Sequence, residues 1–515
     1  MIKLVDFLAN NIERSPKLSS FILGLVLVLS FAPLFFIPAL ISIGIVALLI
    51  KNSGSFKEAF FRGYIFGFGF FLGSLHWTSI AVSVYIEEFW WAIPFALLGI
   101  PLFLAQFFGF FAMCGYFFSA SPNYINIFSS LWIIFEFLRS YLYSGFPWNL
   151  IGYSFAFSDV VIQTASFIGV YGIGYIVVFS FASFYYCFAK SYSSFITNIV
   201  ISLVIWSVII AKGLERLSIN PTNYTNVKIR IVQPSIPQTN KWSHGLFWSN
   251  LEKIRDLSLL DISDFKPDIV IWPESAVIEP PTNFYVYNFL ESFIISANTI
   301  LITGGVYHQD HPHENKRFAS IYAINKEGSI SFDYHKSHLV PFGEYIPFAK
   351  YIPLKQLAPG IIPYSPGSPK AIVELKELSL KIKPIICYEA IFPSEVLTNN
   401  QNADVIINVT NDAWYGNSSG PYQHFYMTRL RAVESGLPLL RVGNNGISGI
   451  IDPVGRIIAK TDLDDVINLD GLLPKKIINS TFYSIWGDYI IHGYFALVTF
   501  FALISLIYIN KANKN

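Results

Sequence analysis

The segments DIVIWPE (268–274) and LKIKPIICYE (380–389) contain runs of Val and Ile that end at a charged or nucleophilic residue. Near-continuous apolar runs of this length predict strands that are buried on both faces. The same pattern occurs in VKIRIVQ (227–233), TILITGGVY (299–307), FASIYAIN (318–325), DVIINVT (404–410) and LPLLRVG (437–443). Helical segments are predicted near 245–260, 283–298 and 421–436. Residues 226–480 are therefore predicted to form a layered α/β domain, with a sheet covered by helices.

The rest of the chain is apolar enough to lie in lipid. Hydrophobic residues make up 53% of the 515 residues and charged residues only 13%, against about 25% charged residues in an ordinary soluble domain. A membrane-spanning helix needs about 20 apolar residues, and about eight spans are predicted. They lie near 18–34, 36–50, 64–83, 91–118, 124–142, 162–188, 195–212 and 489–509. We expect an N-terminal transmembrane bundle over 1–215 and a last transmembrane helix over 489–510.

The charge distribution predicts the orientation of these spans. If the N-terminus is cytoplasmic, the cytoplasmic segments contain Lys3, Arg14, Lys17, Lys51, Lys57, Arg62, Lys190, Lys511 and Lys514. The opposite loops contain Glu87 and Glu88, and Arg139 is the basic residue near an outer end. Basic residues favour the cytoplasmic side, so both termini are expected inside and residues 213–488 outside. The net charge of +1 argues against a nucleic-acid partner, whose binders carry a basic face.

Two strand ends carry candidate catalytic residues. Glu274 follows an apolar strand, where burial should raise the pKa of its carboxyl and suit it to proton transfer, although a structural carboxylate is the alternative. Cys387 has no partner cysteine in its domain, so it is either a nucleophile or an inert core thiol. Glu389, two residues later, is expected on the same side of an extended strand. Cys114 and Cys187 lie in apolar stretches and are interpreted as small buried hydrophobes.

A third candidate, Lys336, lies in the loop YHKSHLVPFGEYIP (334–347). A surface charge is the ordinary interpretation of such a lysine, and Glu344 is a possible orienting partner. His335 and His338 form an H-x-x-H pair without a further ligand cluster, so a zinc site is rejected. No metal or cofactor is expected.

In combination these motifs carry more information than any one of them. WPES, K-x-H-L-V-P-F-G-E-Y-I-P, ICYE and NDAWYG with QHF resemble the apolipoprotein N-acyltransferases, a membrane branch of the nitrilase superfamily. The resemblance extends over nearly the whole chain, through LSFAP (29–33), GFGFFLGSLHW (67–77), EFLRS (136–140), SGFPW (144–148), VQPSIPQTNKW (232–242), RAVESGLPLLR (431–441) and NNGISG (444–449). It implies about eight transmembrane helices and an extracytoplasmic, nitrilase-like αββα sandwich. It also implies a bacterial inner membrane protein whose catalytic domain lies in the periplasm.

The resemblance further implies a two-step acyl transfer. Glu274 would move protons, Cys387 would attack the ester carbonyl of a phospholipid, and Lys336 would stabilise the oxyanion. A diacylglyceryl-modified apolipoprotein would accept the acyl chain. The family resemblance also gives functional weight to Trp242, Glu344, Tyr388 and Glu389: the two carboxylates would orient Lys336 and shape the pocket, and the two aromatic residues would contact substrate or gate the site. The core remains the alternative position for both aromatic residues. The chain is expected to act as a monomer in the lipid bilayer.

Two other functions compete with acyl transfer. A membrane-anchored nitrilase-type amidase would share the three catalytic residues, but one span would suffice to anchor it. A transporter or receptor with an inactive extracytoplasmic domain would place ionisable residues within its spans. Here the span interiors are nearly devoid of them, since Glu136 and Arg139 lie close to a span end.

Overall fold

The computed structural model describes residues 13–309, 316–349, 351, 363–369, 372–397 and 402–512. Lys3 and Lys514, which contribute to the predicted orientation, lie outside the described residues. The chain divides into two compact units. The first comprises Met1–Ser79, Phe89–Ser218 and Trp486–Asn515, and the second comprises Ile80–Glu88 and Ile219–Ile485.

Helices make up most of residues 13–223, which precede the first strand. They are Pro16–Val28, Ser42–Lys51, Phe56–Ser74, Trp77–Ser83, Ile86–Phe89, Ile100–Phe117, Tyr124–Tyr141, Ala165–Ala182, Phe184–Phe188 and Tyr192–Ile219, and a last helix covers Tyr489–Ala512 near the other end of the chain. Their residues are apolar on nearly every side, as expected of helices that are surrounded by lipid or by other helices.

Four helical segments of the described chain are long and apolar enough to cross a membrane: Phe95–Phe117, Tyr124–Ser144, Val161–Phe188 and Tyr192–Ile219. A fifth is obtained if Phe56–Ser74 and Trp77–Ser83, which are bent by 52°, form one span. Shorter apolar segments occur at Pro16–Val28, Ile37–Lys51 and Tyr489–Ile504. Every predicted span thus overlaps an apolar helix, but the number eight stays a prediction.

The apolar unit buries two charged side chains of one helix. Glu136 Oε1 accepts a hydrogen bond from the backbone N–H of Ile151 at 2.8 Å. Arg139 Nη1 donates to the carbonyl oxygens of Phe146 at 2.6 Å and Trp148 at 2.9 Å. Both side chains are at least 95% buried. The two side chains therefore fix the backbone of the non-helical segment that follows this helix.

The described residues of the second unit form twelve strands in two six-stranded sheets. The strands are β1 (Tyr224–Gln233), β2 (Ile269–Ile271), β3 (Ile300–Gln309), β4 (Lys316–Ile324), β5 (Ile330–His335), β6 (Val373–Leu375), β7 (Leu380–Ile386), β8 (Val405–Thr410), β9 (Leu439–Gly443), β10 (Gly449–Ile451), β11 (Ile457–Lys460) and β12 (Ile467–Pro474). One sheet has the order β12-β1-β2-β3-β4-β5 and the other β11-β10-β9-β8-β7-β6. In each sheet three central strands are parallel, β1–β3 and β7–β9, and the outer strands are antiparallel.

Helices cover the outer face of each sheet. They are Phe247–Leu259 and Phe284–Ala297 on one sheet and Pro393–Leu397 and Ser419–Ser435 on the other. Further short helices are Gln238–Lys241, Ile262–Phe265 and Phe482–Trp486. On β7, Ile386 packs between the two sheets and its neighbour Ile385 packs against the helix layer. Because successive side chains of a strand point to opposite faces, both faces of these strands are buried. The layers are helix, sheet, sheet and helix.

All seven predicted strands and all three predicted helices occur in the structure, with shifts of a few residues at their ends. The residue pattern predicted one covered sheet, and the structure has two. Strands β5, β6, β10, β11 and β12 were not predicted. The carboxyl ends of β1, β2, β7 and β8 lead into the loops that carry the candidate site, as is usual for parallel strands in α/β proteins.

Candidate active site

Cys387 is the first residue after β7 and is 6% exposed. Its φ of +47° lies in the left-handed region, which non-glycine residues rarely adopt. A tight turn over Cys387–Ile391 follows directly. The prediction that Cys387 and Glu389 share one side of an extended strand is therefore wrong, because the strand ends at Ile386. The chain therefore leaves the extended conformation at the candidate nucleophile itself.

Glu274 lies three residues beyond β2, on a backbone that turns abruptly. Ser275 has a φ of +50°. Gly304 of β3 packs under this turn, and a Cβ there would lie 2.6 Å from the Glu274 Cα and 2.5 Å from the Pro273 carbonyl oxygen. Only glycine leaves room for so close an approach of two chains. The carboxylate of Glu274 and the thiol of Cys387 interact electrostatically.

Lys336 follows β5 directly and completes what we call the thiol-side cluster, formed by Glu274, Lys336 and Glu344. The Lys336 Nζ lies 2.7 Å from Glu344 Oε1 and 3.6 Å from Glu274 Oε1. Glu344 Oε2 also accepts a hydrogen bond from the backbone N–H of Val340 at 2.8 Å. Lys336 is 1% exposed and Glu274 is 8% exposed, so the three charges interact with little screening by water.

Burial and mutual charge shift the pKa values of this cluster. Burial raises the pKa of Glu274, and Lys336 only partly opposes that rise. Burial, followed by the nearby Glu274 charge, raises the pKa of the Cys387 thiol to about 12. Burial works against the Lys336 ammonium, but Glu344 and Glu274 outweigh it and raise the pKa of Lys336. At neutral pH the thiol is therefore protonated and the amine charged, and a raised carboxyl pKa brings Glu274 closer to the range useful for proton exchange.

Glu389 does not contact Lys336 directly. Its Oε1 accepts hydrogen bonds from the Tyr334 hydroxyl at 2.7 Å and from the Ser337 N–H at 2.7 Å. Its Oε2 accepts from the backbone N–H of Ile386 at 2.7 Å. Glu389 thus links the residue after Lys336 to the residue before Cys387.

The two aromatic candidates occupy different surroundings. Tyr388 is 4% exposed and packs edge-on against Phe392, with ring centroids 5.1 Å apart. Trp242 is half-buried, and the Arg317 guanidinium lies 5.2 Å from the centroid of its ring. Tyr388 therefore packs within the turn that begins at Cys387. Trp242 follows β1 of the other sheet and packs against the core cluster that contains Tyr364.

A second buried group, which we call the carbonyl-side cluster, consists of Asp412, His424 and Arg441 and was not predicted. Arg441 Nη2 donates to Asp412 Oδ2 at 2.7 Å, and the ring of His424 lies between Asp412 and Cys387. Its Nδ1 is 2.9 Å from Asp412 Oδ1, and its Nε2 is 3.2 Å from the Cys387 carbonyl oxygen. Although burial opposes it, Arg441 and His424 lower the pKa of Asp412 to about 2, and burial followed by Arg441 lowers the pKa of His424.

Cys387, Asp412 and His424 have ligand atoms within 4.8 Å of one another. Both oxygens of Asp412 are already engaged, by Arg441 and by His424. A guanidinium at that distance would repel a divalent cation, so the group has the character of an ion-pair network. The two histidines of the H-x-x-H pair have different carboxylate partners: His335 contacts Asp333, and His338 contacts Glu395.

Comparison with known proteins adds independent information. The chain matches the family model of the apolipoprotein N-acyltransferase N-terminal domain over residues 23–183 and that of carbon-nitrogen hydrolases over residues 228–467. It is 49% identical to the apolipoprotein N-acyltransferase of Rickettsia bellii, with 92% of this chain and 94% of that protein covered. It is 46% identical to the one of Rickettsia prowazekii, with 92% and 95% covered. Among solved structures, Nit3 of Saccharomyces cerevisiae, a member of branch 10 of the nitrilase superfamily, is 20% identical with a TM-score of 0.37, over 47% of this chain and 89% of that one.

Proposed function

Because the chain belongs to the apolipoprotein N-acyltransferase family, we propose that it transfers a fatty acyl chain from a phospholipid to the N-terminal α-amino group of a diacylglyceryl-cysteine apolipoprotein. The observation that carries the mechanism is a buried thiol that interacts electrostatically with a buried carboxylate, Glu274, which itself lies 3.6 Å from the buried ammonium of Lys336. A thioester on Cys387 is the proposed intermediate. No cofactor is required, because the ester and the thioester are each reactive enough for the next step.

In the first half-reaction the carboxylate of Glu274 takes the proton of the Cys387 thiol. The thiolate attacks the ester carbonyl carbon of the phospholipid, and the ammonium of Lys336 stabilises the negative oxygen of the tetrahedral intermediate. The bond from this carbon to the glycerol oxygen then breaks. Glu274 returns its proton to that oxygen, a lysophospholipid leaves, and the acyl chain stays on Cys387 as a thioester.

In the second half-reaction the α-amino group of the lipoprotein attacks the thioester carbonyl. Lys336 again meets the developing oxyanion, and Glu274 accepts a proton from the attacking nitrogen. The carbon–sulfur bond breaks, and the proton passes from Glu274 to the Cys387 thiolate. The products are an amide on the lipoprotein and the original thiol, so the base and the nucleophile return to their starting states.

We propose that the chain spans the bacterial inner membrane about eight times, with residues 1–215 and 489–510 in the lipid and the domain 226–480 in the periplasm. The apolar helices and the one-sided basic residues support this arrangement. Both substrates are lipids, which gives the helices a function beyond anchoring. A periplasm-dependent reporter fused at about 213–225 should be active and one fused after Lys514 silent. The reverse pattern would contradict the orientation.

Hydrolysis of small amides is the second candidate, since it would use the same three residues. Intact-mass spectrometry after incubation of the purified protein with phosphatidylethanolamine liposomes separates the two. We expect the mass of one acyl chain on Cys387, removable by hydroxylamine as a thioester. Cys387→Ala should lose the adduct, and Cys187→Ala is the matched control that should keep it. An unmodified wild-type protein, or an adduct that persists in Cys387→Ala, would contradict acyl transfer through this thiol.

A further inference from the structure

A second lysine is buried beside the thiol-side cluster and has no role in the mechanism above. Lys241 ends the short helix Gln238–Lys241 that follows β1, and it is 4% exposed. Its Nζ donates a hydrogen bond to the backbone carbonyl oxygen of Glu274 at 2.7 Å. The ammonium also interacts electrostatically with the Glu274 carboxylate and with Cys387. An ammonium buried this fully is uncommon unless negative groups surround it.

We infer that Lys241 is a positioning residue for Glu274. It holds the backbone that carries the Glu274 carboxylate, and its positive charge balances the negative charge of the site. The inference rests on the proposed role of Glu274 as the base. It assigns Lys241 no contact with substrate and no transfer of a proton to the reacting atoms.

The backbone at Glu274 needs such support because it has left the sheet. Strand β2 ends at Ile271, and the strained Ser275 follows Glu274 with its φ of +50°. A residue in this region costs of order 1–3 kcal/mol and persists only where its surroundings hold it. Gly304 supports the turn from below through close packing. The Lys241 ammonium supports it through its hydrogen bond to the Glu274 carbonyl oxygen.

The charges of the site also favour a second cation. The charged and titratable groups around the Glu274 carboxylate are Lys336, Glu344, Lys241, Cys387, Tyr364 and Tyr415. Of these groups, Lys336 and Glu344 belong with Glu274 to the thiol-side cluster. That cluster by itself contains two carboxylates and one ammonium. Lys336 lies nearer to Glu344 than to Glu274, by 2.7 Å against 3.6 Å. Lys241 brings the sum to neutrality, and a neutral set of buried charges costs less to desolvate.

The protonation of Lys241 agrees with this assignment. Burial lowers its pKa to about 8, although Glu274 and Cys387 counteract the shift. The amine is therefore mainly protonated at neutral pH. A positive charge at this position in turn lowers the pKa of Glu274, so removal of the charge should move the ionisation of Glu274 to higher pH.

The test is the pH dependence of Cys387 acylation in the full-length protein, measured by rapid quench with phosphatidylethanolamine liposomes. In Lys241→Met we expect the acid limb to move up by about one pH unit, since a nearby opposite charge typically shifts a carboxyl pKa by 1–3 units. The plateau rate should fall about tenfold through misplacement of the carboxylate. Lys241→Arg keeps the charge and the donor and should leave the limb in place. Lys228→Met is the matched control, because Lys228 Nζ also donates to a backbone carbonyl, that of Phe265 at 3.1 Å.

Each outcome decides a separate point. If Lys241→Met fails to fold, Lys241→Gln replaces it, since that variant keeps a donor without the charge and should show the same limb shift. An unmoved limb in the folded variants, or an equal shift in Lys228→Met, would overturn the inference. Glu274→Gln is measured in parallel: a limb that survives in that variant refutes Glu274 as the base. If the acid limb vanishes in Glu274→Gln but keeps its position in the Lys241 variants, only the role of Lys241 is refuted.

Discussion

The thiol-side and carbonyl-side clusters flank the same cysteine and are built from the same kinds of groups, yet they differ in how fully their charges are paired. In the carbonyl-side cluster Asp412 has both oxygens engaged at 2.7–2.9 Å, and its side chain is completely buried. In the thiol-side cluster the Lys336 Nζ is 3.6 Å from Glu274 Oε1, beyond hydrogen-bonding distance, and the Glu274 side chain is 11% exposed. A saturated network fixes geometry, and a partly paired carboxylate with a raised pKa keeps the capacity to exchange protons. The two clusters should therefore respond differently to mutation.

The largest effect on rate among the cluster variants is expected for Glu274→Gln. It should slow acylation by about 10³-fold at neutral pH, within the range of lost general base catalysis. In the wild type the rate should fall as the pH drops through the pKa of Glu274, which burial raises above the ordinary 4.5. In the variant the acid limb should vanish as a separate feature, because the pH profile has no bend at the pKa of Glu274. Because burial raises the pKa of Cys387 to about 12, the remaining rate should climb about tenfold per pH unit up to pH ~10. Rapid-quench acylation from pH ~5 upward measures both.

Lys336→Met should have a somewhat smaller effect that pH does not relieve. The loss of one donor to an oxyanion typically costs about 10²–10³-fold in rate. The variant should retain an acid limb, since Glu274 is still present, but at higher pH, because Lys336 also lowers the pKa of Glu274. It should lack the alkaline rise of Glu274→Gln. Single-turnover rates across the same pH series make the comparison. Equal alkaline rescue of both variants, or of neither, would mean that the base and the oxyanion donor have been assigned wrongly.

His424→Gln should have the smallest effect on rate and the largest effect on stability. We expect acylation to fall about tenfold, with an unchanged acid limb, because the Cys387 carbonyl is held less firmly. The free energy of unfolding should drop by about 1–3 kcal/mol, since buried polar groups lose a partner. Thermal unfolding and the pH series together test this. If the acid limb vanished in His424→Gln and survived in Glu274→Gln, a Cys387–His424–Asp412 triad would replace the proposed one.

The sequence predicted those strands that are apolar on both faces. On β7, Ile385 and Ile386 point into different cores. Because both faces of the strand are buried, the whole run of residues is apolar and can be recognised. Strand β6, with three residues, and β11, with four, are too short for such a pattern. Strand β12 is exposed or half-buried over its first six residues, and it contains Gly471. These strands are defined by the neighbours they pair with, and a single sequence does not contain that information.

The site divides in a similar way. Glu274, Lys336 and Cys387 follow strands and stand in recognisable motifs, so their types and positions were predictable, while their proposed roles stay predictions. Lys241 lies within the quoted segment 232–242, but its contact is to a carbonyl 33 residues away. Arg441 likewise reaches Asp412 across 29 residues. Such long-range pairings arise between residues on or just after neighbouring strands of one sheet, β1 and β2 for the first and β8 and β9 for the second, and the local spacing of residues does not indicate them.

The close packing of Gly304 against the turn at Glu274 should make the site sensitive to temperature when it is disturbed. An added methyl group in Gly304→Ala would press on the backbone of residues 273–275 and force it to shift. Thermal motion opposes the strained turn more as temperature rises, so acylation of Cys387 in this variant should persist at low temperature and be lost at a lower temperature than in the wild type. Gly304→Ala thus provides a conditional variant that keeps every candidate catalytic side chain.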